Sequence, residues 1–237
     1  MLRLAEDLDP VARYGMAKGF AIRSRTVIVE GTSDVDLIHM AAELEEKATG
    51  RSLLGHDLAI VAPGQGKMGG TDGLIRELLR FRGYAETYLL PNGLPRYRFI
   101  GLFDNDDAGR KAVKLAKQFD RGILEYRDVL CLKPIMPRPD NLDHSHVQKT
   151  FEQENKLYGG LDWELEDLLP QDFIDGFLAD YPNAVRECES AHGKVHREFT
   201  IDGKAHLHRF VKQNAMREDL AEVIRLIEAL RHYMVLK

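Results

Sequence analysis

Two stretches of the chain run from apolar residues straight into carboxylates. In "VIVEGTSDVDLIHM", Glu30 and Asp34 follow three β-forming residues, and in "FIGLFDNDDAGRKAVKLA", Asp104 and Asp106 follow a second apolar run. Carboxylates gathered in one place repel one another at pH 7 unless a cation neutralises them. Hard oxygen ligands with little histidine or cysteine favour Mg²⁺ or Mn²⁺. The two stretches together predict a site for one or two divalent metal ions.

Helix capping is the competing interpretation of these acids. Aspartate is common at the N-terminus of a helix, where it complements the helix dipole, and Asp34 and Asp107 could be caps and nothing more. Capping does not account for Glu30, which ends an apolar strand. It also does not account for the alternation of Asp104 and Asp106 at the end of another strand. The spacing therefore favours a metal site over capping alone.

The elements that must position these acids alternate along the chain. Short apolar runs are followed by amphipathic segments of about a dozen residues, which is typical of βαβ units and a mainly parallel sheet. Right-handed crossovers place every strand-to-helix turn at one edge of such a sheet, where ligands bind. Glu30 and Asp104 are thus expected at a common edge. The predicted strands are 25–30, 57–63, 97–103 and 123–132, and the predicted helices are 34–48, 71–82 and 107–119.

The regular alternation stops near residue 134. We predict an N-terminal segment (1–24) with a short helix, an α/β domain (25–134) and a mostly helical C-terminal extension (135–237) that packs on it and completes the site. The extension begins with a connector rich in Pro, Asp and His. It continues with a helix from "QDFIDGFLADY", a hairpin from "HREFTIDGKAH" and a final helix from "MREDLAEVIRLIEALRHYM".

Composition narrows the class of protein. The 237 residues are 44% hydrophobic and 30% charged, as in ordinary globular proteins, and no apolar run approaches the length of a membrane span. The net charge of −5 argues against coating nucleic acid by charge alone. The acidic N-terminus is unlike a secretory signal, and the two distant cysteines form no paired framework. We expect a cytoplasmic protein without membrane contact.

The two acidic motifs resemble those of the Toprim domain. Glu30-Gly31-x-x-Asp34 follows a first strand, and Asp104-x-Asp106-x-x-Gly109 follows a third. Topoisomerases, bacterial primases, recombination proteins and nucleases of the OLD family (overcoming lysogenisation defect) share this domain, a Rossmann-like parallel sheet flanked by helices. The resemblance implies that Glu30 is a metal ligand or general acid/base and that Asp104 and Asp106 hold Mg²⁺. Asp34 resembles the additional ligand of the nuclease branch.

Three further assignments follow from the resemblance. "DWELEDLLP" nominates Glu164 and Glu166 as further metal ligands, with a solvated acidic helix face as the alternative. "FTIDGKAHLHRFV" nominates Lys204 as the lysine facing the scissile phosphate, with a solvated turn as the alternative. Lys67, in the glycine-rich loop "GQGKMGG", could meet a substrate phosphate. Taken alone, that loop also suggests dinucleotide binding.

The function implied by the resemblance is a metal-dependent endonuclease acting on DNA. The resemblance also implies a role in phage defence beside an ATPase. Because the chain carries no ATPase motif of its own, that ATPase is expected to be a separate partner. A ribonuclease or toxin acting on RNA and a non-catalytic nucleic-acid-binding module are the alternatives, and a homodimer is among the assemblies left open. A zinc site built from Cys188, His192 and His196 is a weaker hypothesis, since no Cys-x-x-Cys pair anchors it.

Overall fold

A four-stranded parallel sheet forms the centre of the fold. The computed structural model describes residues 9–64 and 69–236, and the sheet has the order β2-β1-β3-β4 with every neighbouring pair parallel. The predicted α/β class with about four parallel strands is confirmed, and the arrangement is consistent with a Rossmann-like fold. The strands are β1 (Arg25–Ile28), β2 (Leu58–Val61), β3 (Arg98–Phe103) and β4 (Val129–Cys131).

Helices cover both faces of the sheet, so its strands read as continuous apolar runs. The first four helices are α1 (Pro10–Lys18), α2 (Thr32–Thr49), α3 (Gly70–Glu86) and α4 (Asp107–Phe119). Successive side chains of a strand point to opposite faces. Val27 therefore packs with α2 and the C-terminal helices, and Ile28 packs with α1, α3 and α4.

The C-terminal half packs against the face of the sheet that α2 covers. One continuous hydrophobic core joins the strands, α2 and the elements after residue 144. Trp163 and Phe177 are among its fully buried side chains. The elements are α5 (His144–Glu154), α6 (Gln171–Asp180), β5 (Val185–Ala191), β6 (Lys194–Phe199), α7 (Ile201–Asn214) and α8 (Ala221–Tyr233), with a 3₁₀ turn over Leu165–Leu168.

The predicted hairpin over 196–206 is wrong. The chain turns earlier, at His192 and Gly193, which both have positive φ, and β5 pairs with β6 across that turn. The segment from 201 onward is helix α7 instead. Thr200 caps it by accepting a hydrogen bond from the Gly203 N–H at 2.9 Å. A capping threonine was mistaken for a strand residue, because threonine favours both positions.

The predicted fourth strand is too long. Only Val129–Cys131 pairs with β3, and residues 124–128 form a turn in which Tyr126 has φ 66°. The Asp128 carboxylate closes this turn by accepting the Leu124 N–H at 2.9 Å. The helix predicted over 107–119 has the observed bounds. The other helix and strand bounds of the α/β region differ by a few residues, as expected for element ends.

Gly109, in the first turn of α4, lies against the backbone carbonyl of Asp104. A methyl group at this position would lie 2.0 Å from the Asp104 carbonyl oxygen. We expect Gly109→Ala to lower the free energy of unfolding by about 3 kcal/mol, since backbone cannot yield as a side chain can. Urea denaturation measures the change.

The exposed Gly176 in α6 provides the control, because a methyl group there meets nothing within 4 Å. Gly176→Ala should raise the free energy of unfolding by about 0.5–1 kcal/mol through helix propensity. Equal effects of the two substitutions would contradict the requirement for glycine at position 109.

Candidate metal centre

The two acidic motifs meet at the carboxyl edge of the sheet. Glu30 lies just beyond β1 and Asp104 just beyond β3, and these strands are neighbours. The Asp104 backbone N–H donates a hydrogen bond to Glu30 Oε1 at 3.1 Å. Both side chains are half-buried. The structure thus brings together the first residues of both motifs, which lie more than seventy positions apart in sequence.

Asp34 and Asp106 cap helices at this edge. The Gly31 N–H donates to Asp34 Oδ2 at 2.8 Å, and the Gly109 N–H donates to Asp106 Oδ1 at 2.6 Å. The capping interpretation is therefore right for Asp34 and, contrary to the sequence-based expectation, for Asp106, although the Asp34 carboxylate also belongs to the acidic cluster. Asp107, by contrast, is exposed and pairs with Lys111.

A third segment reaches the site through Asn105. The backbone N–H of Asn105 donates to the Trp163 carbonyl at 2.8 Å, and the Trp163 N–H donates back to the Asn105 carbonyl at 3.3 Å. The buried Asn105 side chain adds a hydrogen bond to the Leu161 carbonyl at 3.0 Å. These bonds hold the chain just before Glu164 and Glu166 against the Asp104–Asp106 motif. The sequence-based prediction gives Asn105 no role, although an asparagine between two aspartates at the end of a strand is a usable signal.

Helix α7 presents a lysine and a histidine to these acids. Lys204 Nζ lies 2.8 Å from Glu164 Oε2 and 3.5 Å from Glu166 Oε1. One turn later, His208 Nε2 lies 3.6 Å from Glu166 Oε1. The alternative of a solvated turn for Lys204 is wrong, and so is that of a solvated helix face for Glu166, which is 4% exposed.

Asp167 supports the third segment from behind, a role that the sequence did not reveal. Its buried carboxylate accepts hydrogen bonds from the Glu164 N–H at 2.8 Å and from the Arg197 N–H at 3.0 Å. It also lies 2.7 Å from His196 Nδ1. The β5–β6 hairpin therefore fixes the backbone that carries Glu164. His196 contacts Asp167 here, and Cys188, His192 and His196 are not arranged to hold a metal ion together, so the predicted zinc site is wrong.

Burial and mutual repulsion shift the acidity of the cluster. Burial, together with the nearby Asp34 and Glu30, raises the pKa of Asp104 well above its usual value. Burial likewise raises the pKa of Glu30 to about 7, although the hydrogen bond from the Asp104 N–H acts to lower it. Burial also raises the pKa of Asp34 to about 6. The metal-free cluster therefore retains protons near neutral pH. Acids that cannot all ionise alone are suited to a divalent cation.

Glu166 behaves differently from its neighbours. Burial would raise its pKa, but the polar contact with His208 and the charge of Lys204 outweigh burial and lower the pKa to about 2. For Lys204, burial opposes the charge, yet Glu166 and Glu164 raise its pKa. The ammonium thus acts as an internal counter-ion for one side of the cluster.

Two spaces adjoin the carboxylates. A cavity of about 10 Å³ is lined by the carboxylates Glu30, Asp34 and Asp104 and by five apolar side chains, and it is about the size of a water molecule. Beside it opens a cleft of about 370 Å³, whose lining includes Lys204 and His208. Backbone glycines 31, 64, 69 and 70 form part of the same lining. The small cavity thus adjoins three carboxylates, and the cleft has room for a phosphate group.

The described side chains nevertheless do not form a ready-made coordination shell. Within residues 9–64 and 69–236, no group of three His, Cys, Asp or Glu side chains is arranged to hold a metal ion. Hydrogen bonds account for this, since Asp34, Asp106 and Glu30 each accept a backbone N–H. The oxygen-only donor set and the charge of the cluster fit Mg²⁺ or Mn²⁺. Binding therefore requires the side chains to reorient.

The raised pKa values predict how pH affects the stability of the metal-free protein. Folding raises the pKa of Glu30 from 4.5 to about 7, so the folded state holds this proton more tightly than the unfolded state. The stabilisation is present below about pH 4.5 and is lost as the pH rises through 7. Between pH 5 and 8, we expect Glu30 to contribute a loss of about 2–3 kcal/mol in the free energy of unfolding in EDTA.

Urea denaturation at the two pH values, compared with Glu30→Gln, isolates this contribution. The variant should lose less stability between pH 5 and 8 than the wild type, and Mg²⁺ should restore wild-type stability mainly at pH 8. The same pH dependence in both proteins would contradict the assignment to Glu30.

Lys67 lies outside the described residues, so its proposed phosphate contact and the dinucleotide interpretation of its loop stay predictions. The loop ends at the site, because the Gly70 N–H donates to the Glu30 carbonyl at 3.1 Å.

Among the residues that the structure describes, no helix is both long and apolar enough to cross a membrane. No family model, curated protein or solved structure matches the chain.

Proposed function

We propose that this protein is a metal-dependent Toprim nuclease of the OLD-like type that hydrolyses phosphodiester bonds in DNA. The observation that supports this best is the convergence of the acids from three separate segments at one sheet edge, beside a cleft lined by Lys204. Burial and the neighbouring acids raise the pKa values of Glu30, Asp34 and Asp104, a cost that helix capping alone does not require.

Glu30, Asp34 and Asp104 would hold the metal, with Asp106, Glu164 and Glu166 as further candidate ligands. Mg²⁺ or Mn²⁺, as one or two ions, would activate a water molecule and offset charge on the phosphoryl oxygens. Lys204 lines the cleft and would stabilise the charge that develops on the phosphate. Glu30, with its pKa near 7, is suited to exchanging a proton at neutral pH.

The proposal includes a partner. A separate ATPase would control the nuclease, as the resemblance implies, in a role in phage defence. A ribonuclease would use the same metal ligands, and the assay below distinguishes RNA from DNA as the substrate. A non-catalytic nucleic-acid-binding module is favoured by one observation, namely that Lys204 already neutralises Glu164 and Glu166.

Purified protein incubated with supercoiled plasmid and with tRNA, in Mg²⁺, Mn²⁺ or EDTA, tests the proposal. We expect nicking of the plasmid with metal, none in EDTA, and none by Glu30→Gln. Cleavage of tRNA alone would support the ribonuclease instead. Binding of DNA without cleavage under every condition, with the ATPase partner supplied as well, would support the non-catalytic module.

Asp107→Asn is the matched control for these variants. Asp107 belongs to the same sequence motif and carries the same charge, yet it is exposed and pairs only with Lys111 among the described residues. Its substitution should leave nicking within about twofold of the wild type, as for surface changes away from a site. Loss of activity in both variants would point to general charge effects and not to the cluster.

A further inference from the structure

A second cavity lies at the opposite edge of the sheet from the acidic cluster. It has a volume of about 430 Å³ and opens where β1 and β3 begin. Along β3, its Arg98 and the site residue Asp104 are six positions apart, a span of about 20 Å. This volume lies in the range of small-molecule sites, which is about 300–1,000 Å³. The lining is Arg25, Arg82, Ala85, Glu86, Leu94, Pro95, Tyr97, Arg98, Phe99, Arg127 and Asp128.

The lining carries four arginines and two carboxylates. Asp128 is buried and neutralises two of the arginines, with Arg82 NH1 at 3.0 Å and Arg127 NH2 at 2.6 Å. Arg82 is also paired with Asp120, which lies outside the cavity lining. Asp128 is thus paired directly with two of the four arginines, and the exposed Glu86 is the other carboxylate of the lining.

Arg25 and Arg98 have no carboxylate within 4 Å among the described residues, although they are direct neighbours in the sheet. Their Cα atoms are register partners on the parallel strands β1 and β3. Arg25 donates to three backbone carbonyls, and Arg98 NH2 donates to the Arg127 carbonyl at 3.3 Å. Carbonyl groups satisfy the N–H donors but carry no net charge, so neither guanidinium group is in direct contact with a counter-ion among the described residues.

This placement has an energetic cost. Like charges on directly opposed residues of neighbouring strands are destabilising. Burial lowers the pKa of Arg98 most, the charge of Asp128 opposes this, and the nearby Arg25 and Arg127 lower the pKa further. A doubly negative ligand between the two guanidinium groups would remove the repulsion, and guanidinium binds phosphate oxygens through paired N–H donors.

Part of the cavity lining is apolar. Ala85, Leu94 and Pro95 contribute to it, and Leu94 is 61% exposed, so part of this surface lies open to a ligand. An apolar surface beside two guanidinium groups that contact no carboxylate directly suits a molecule with a phosphate at one end and a flat or apolar body at the other. A nucleoside monophosphate has this composition and a charge near −2.

We propose that this cavity binds a small phosphate monoester of the size of a nucleoside monophosphate, with its phosphate held by Arg25 and Arg98 and its body against Leu94 and Pro95. The site is separate from the candidate metal centre and requires no metal ion.

Isothermal titration calorimetry on the full chain in EDTA tests the proposal, with AMP, UMP, adenosine and inorganic phosphate as probes. We expect at least one nucleoside monophosphate to bind about tenfold or more tightly than adenosine or phosphate. Arg98→Gln and Arg25→Gln should each weaken that binding by about tenfold or more, the size of one lost charge-assisted contact. Because EDTA removes divalent metal, the result is independent of whether the protein is a nuclease.

Two further variants keep the result interpretable. Arg121→Gln removes the same charge from an exposed position outside the lining and should change the affinity less than twofold. Leu94→Glu adds a negative charge at an exposed rim position and should abolish binding without affecting folding. Failure of AMP and UMP to bind, phosphate binding as tight as theirs, or wild-type affinity in Arg98→Gln and Leu94→Glu would each overturn the proposal.

Discussion

With Asp104 replaced by asparagine, we expect DNA cleavage to fall by about three orders of magnitude while the metal-free protein becomes more stable. Asp104 is held among four other carboxylates, and burial, Asp34 and Glu30 oppose its ionisation most strongly. Asparagine has nearly the same shape and carries no charge. It therefore relieves repulsion in the folded state, which we expect to raise the free energy of unfolding by about 1 kcal/mol at pH 7.5.

The opposite signs of the two effects make this prediction specific. Plasmid nicking in Mn²⁺ measures the first, and urea denaturation in EDTA at pH 7.5 measures the second. A residue whose role is only structural would lose activity and stability together. Asp107→Asn, at an exposed position of the same motif, should change neither quantity appreciably. Wild-type cleavage by Asp104→Asn would remove Asp104 from the catalytic site, whatever its effect on stability.

The meeting of the two acidic motifs could be predicted because it depends on topology. A run such as "RTVIVE" reads as a strand buried on both faces, and helices between such strands require parallel pairing. Parallel strands bring their carboxyl ends to one edge, so Glu30 and Asp104 could be placed there without knowledge of any contact. The observed hydrogen bond between Asp104 N–H and Glu30 Oε1 adds a distance that topology alone does not provide.

The contribution of the C-terminal half could not be derived in the same way. Its approach depends on tertiary contacts, such as the paired hydrogen bonds between Asn105 and Trp163 and the support of Glu164 by Asp167. No periodic pattern encodes such contacts. Lys204 was nominated by resemblance, but its surroundings were mispredicted because the "FTIDG" segment was interpreted as part of a hairpin. In the structure, the Thr200 side chain caps a helix that begins at Ile201.

The second large effect concerns the ammonium that faces the acids. We expect Lys204→Met to lower the free energy of unfolding of the metal-free protein by about 2 kcal/mol and to reduce cleavage by about 100-fold. Removal of the ammonium leaves Glu164 and the buried Glu166 without their nearest cation. The cost should fall below that of a fully buried pair, because the Lys204 side chain is 36% exposed.

Divalent metal should compensate for part of this loss. If Lys204 acts as the internal counter-ion of the cluster, its removal increases the unneutralised negative charge that a metal ion can balance. Saturating Mg²⁺ should then stabilise Lys204→Met more than it stabilises the wild type, as measured by the shift in the urea midpoint. The double variant Lys204→Met/Glu164→Gln should recover stability in EDTA without recovering cleavage.

Lys212→Met supplies the matched control on the same helix. Lys212 Nζ lies 2.6 Å from Asp36 Oδ2, a shorter contact than that of Lys204, but both partners are more than half exposed. An exposed pair contributes at most about 1 kcal/mol, so this substitution should change stability little and cleavage not at all. Equal losses in the two variants, or a Lys204→Met protein that Mg²⁺ stabilises no more than the wild type, would show that Lys204 does not balance the charge of the acidic cluster.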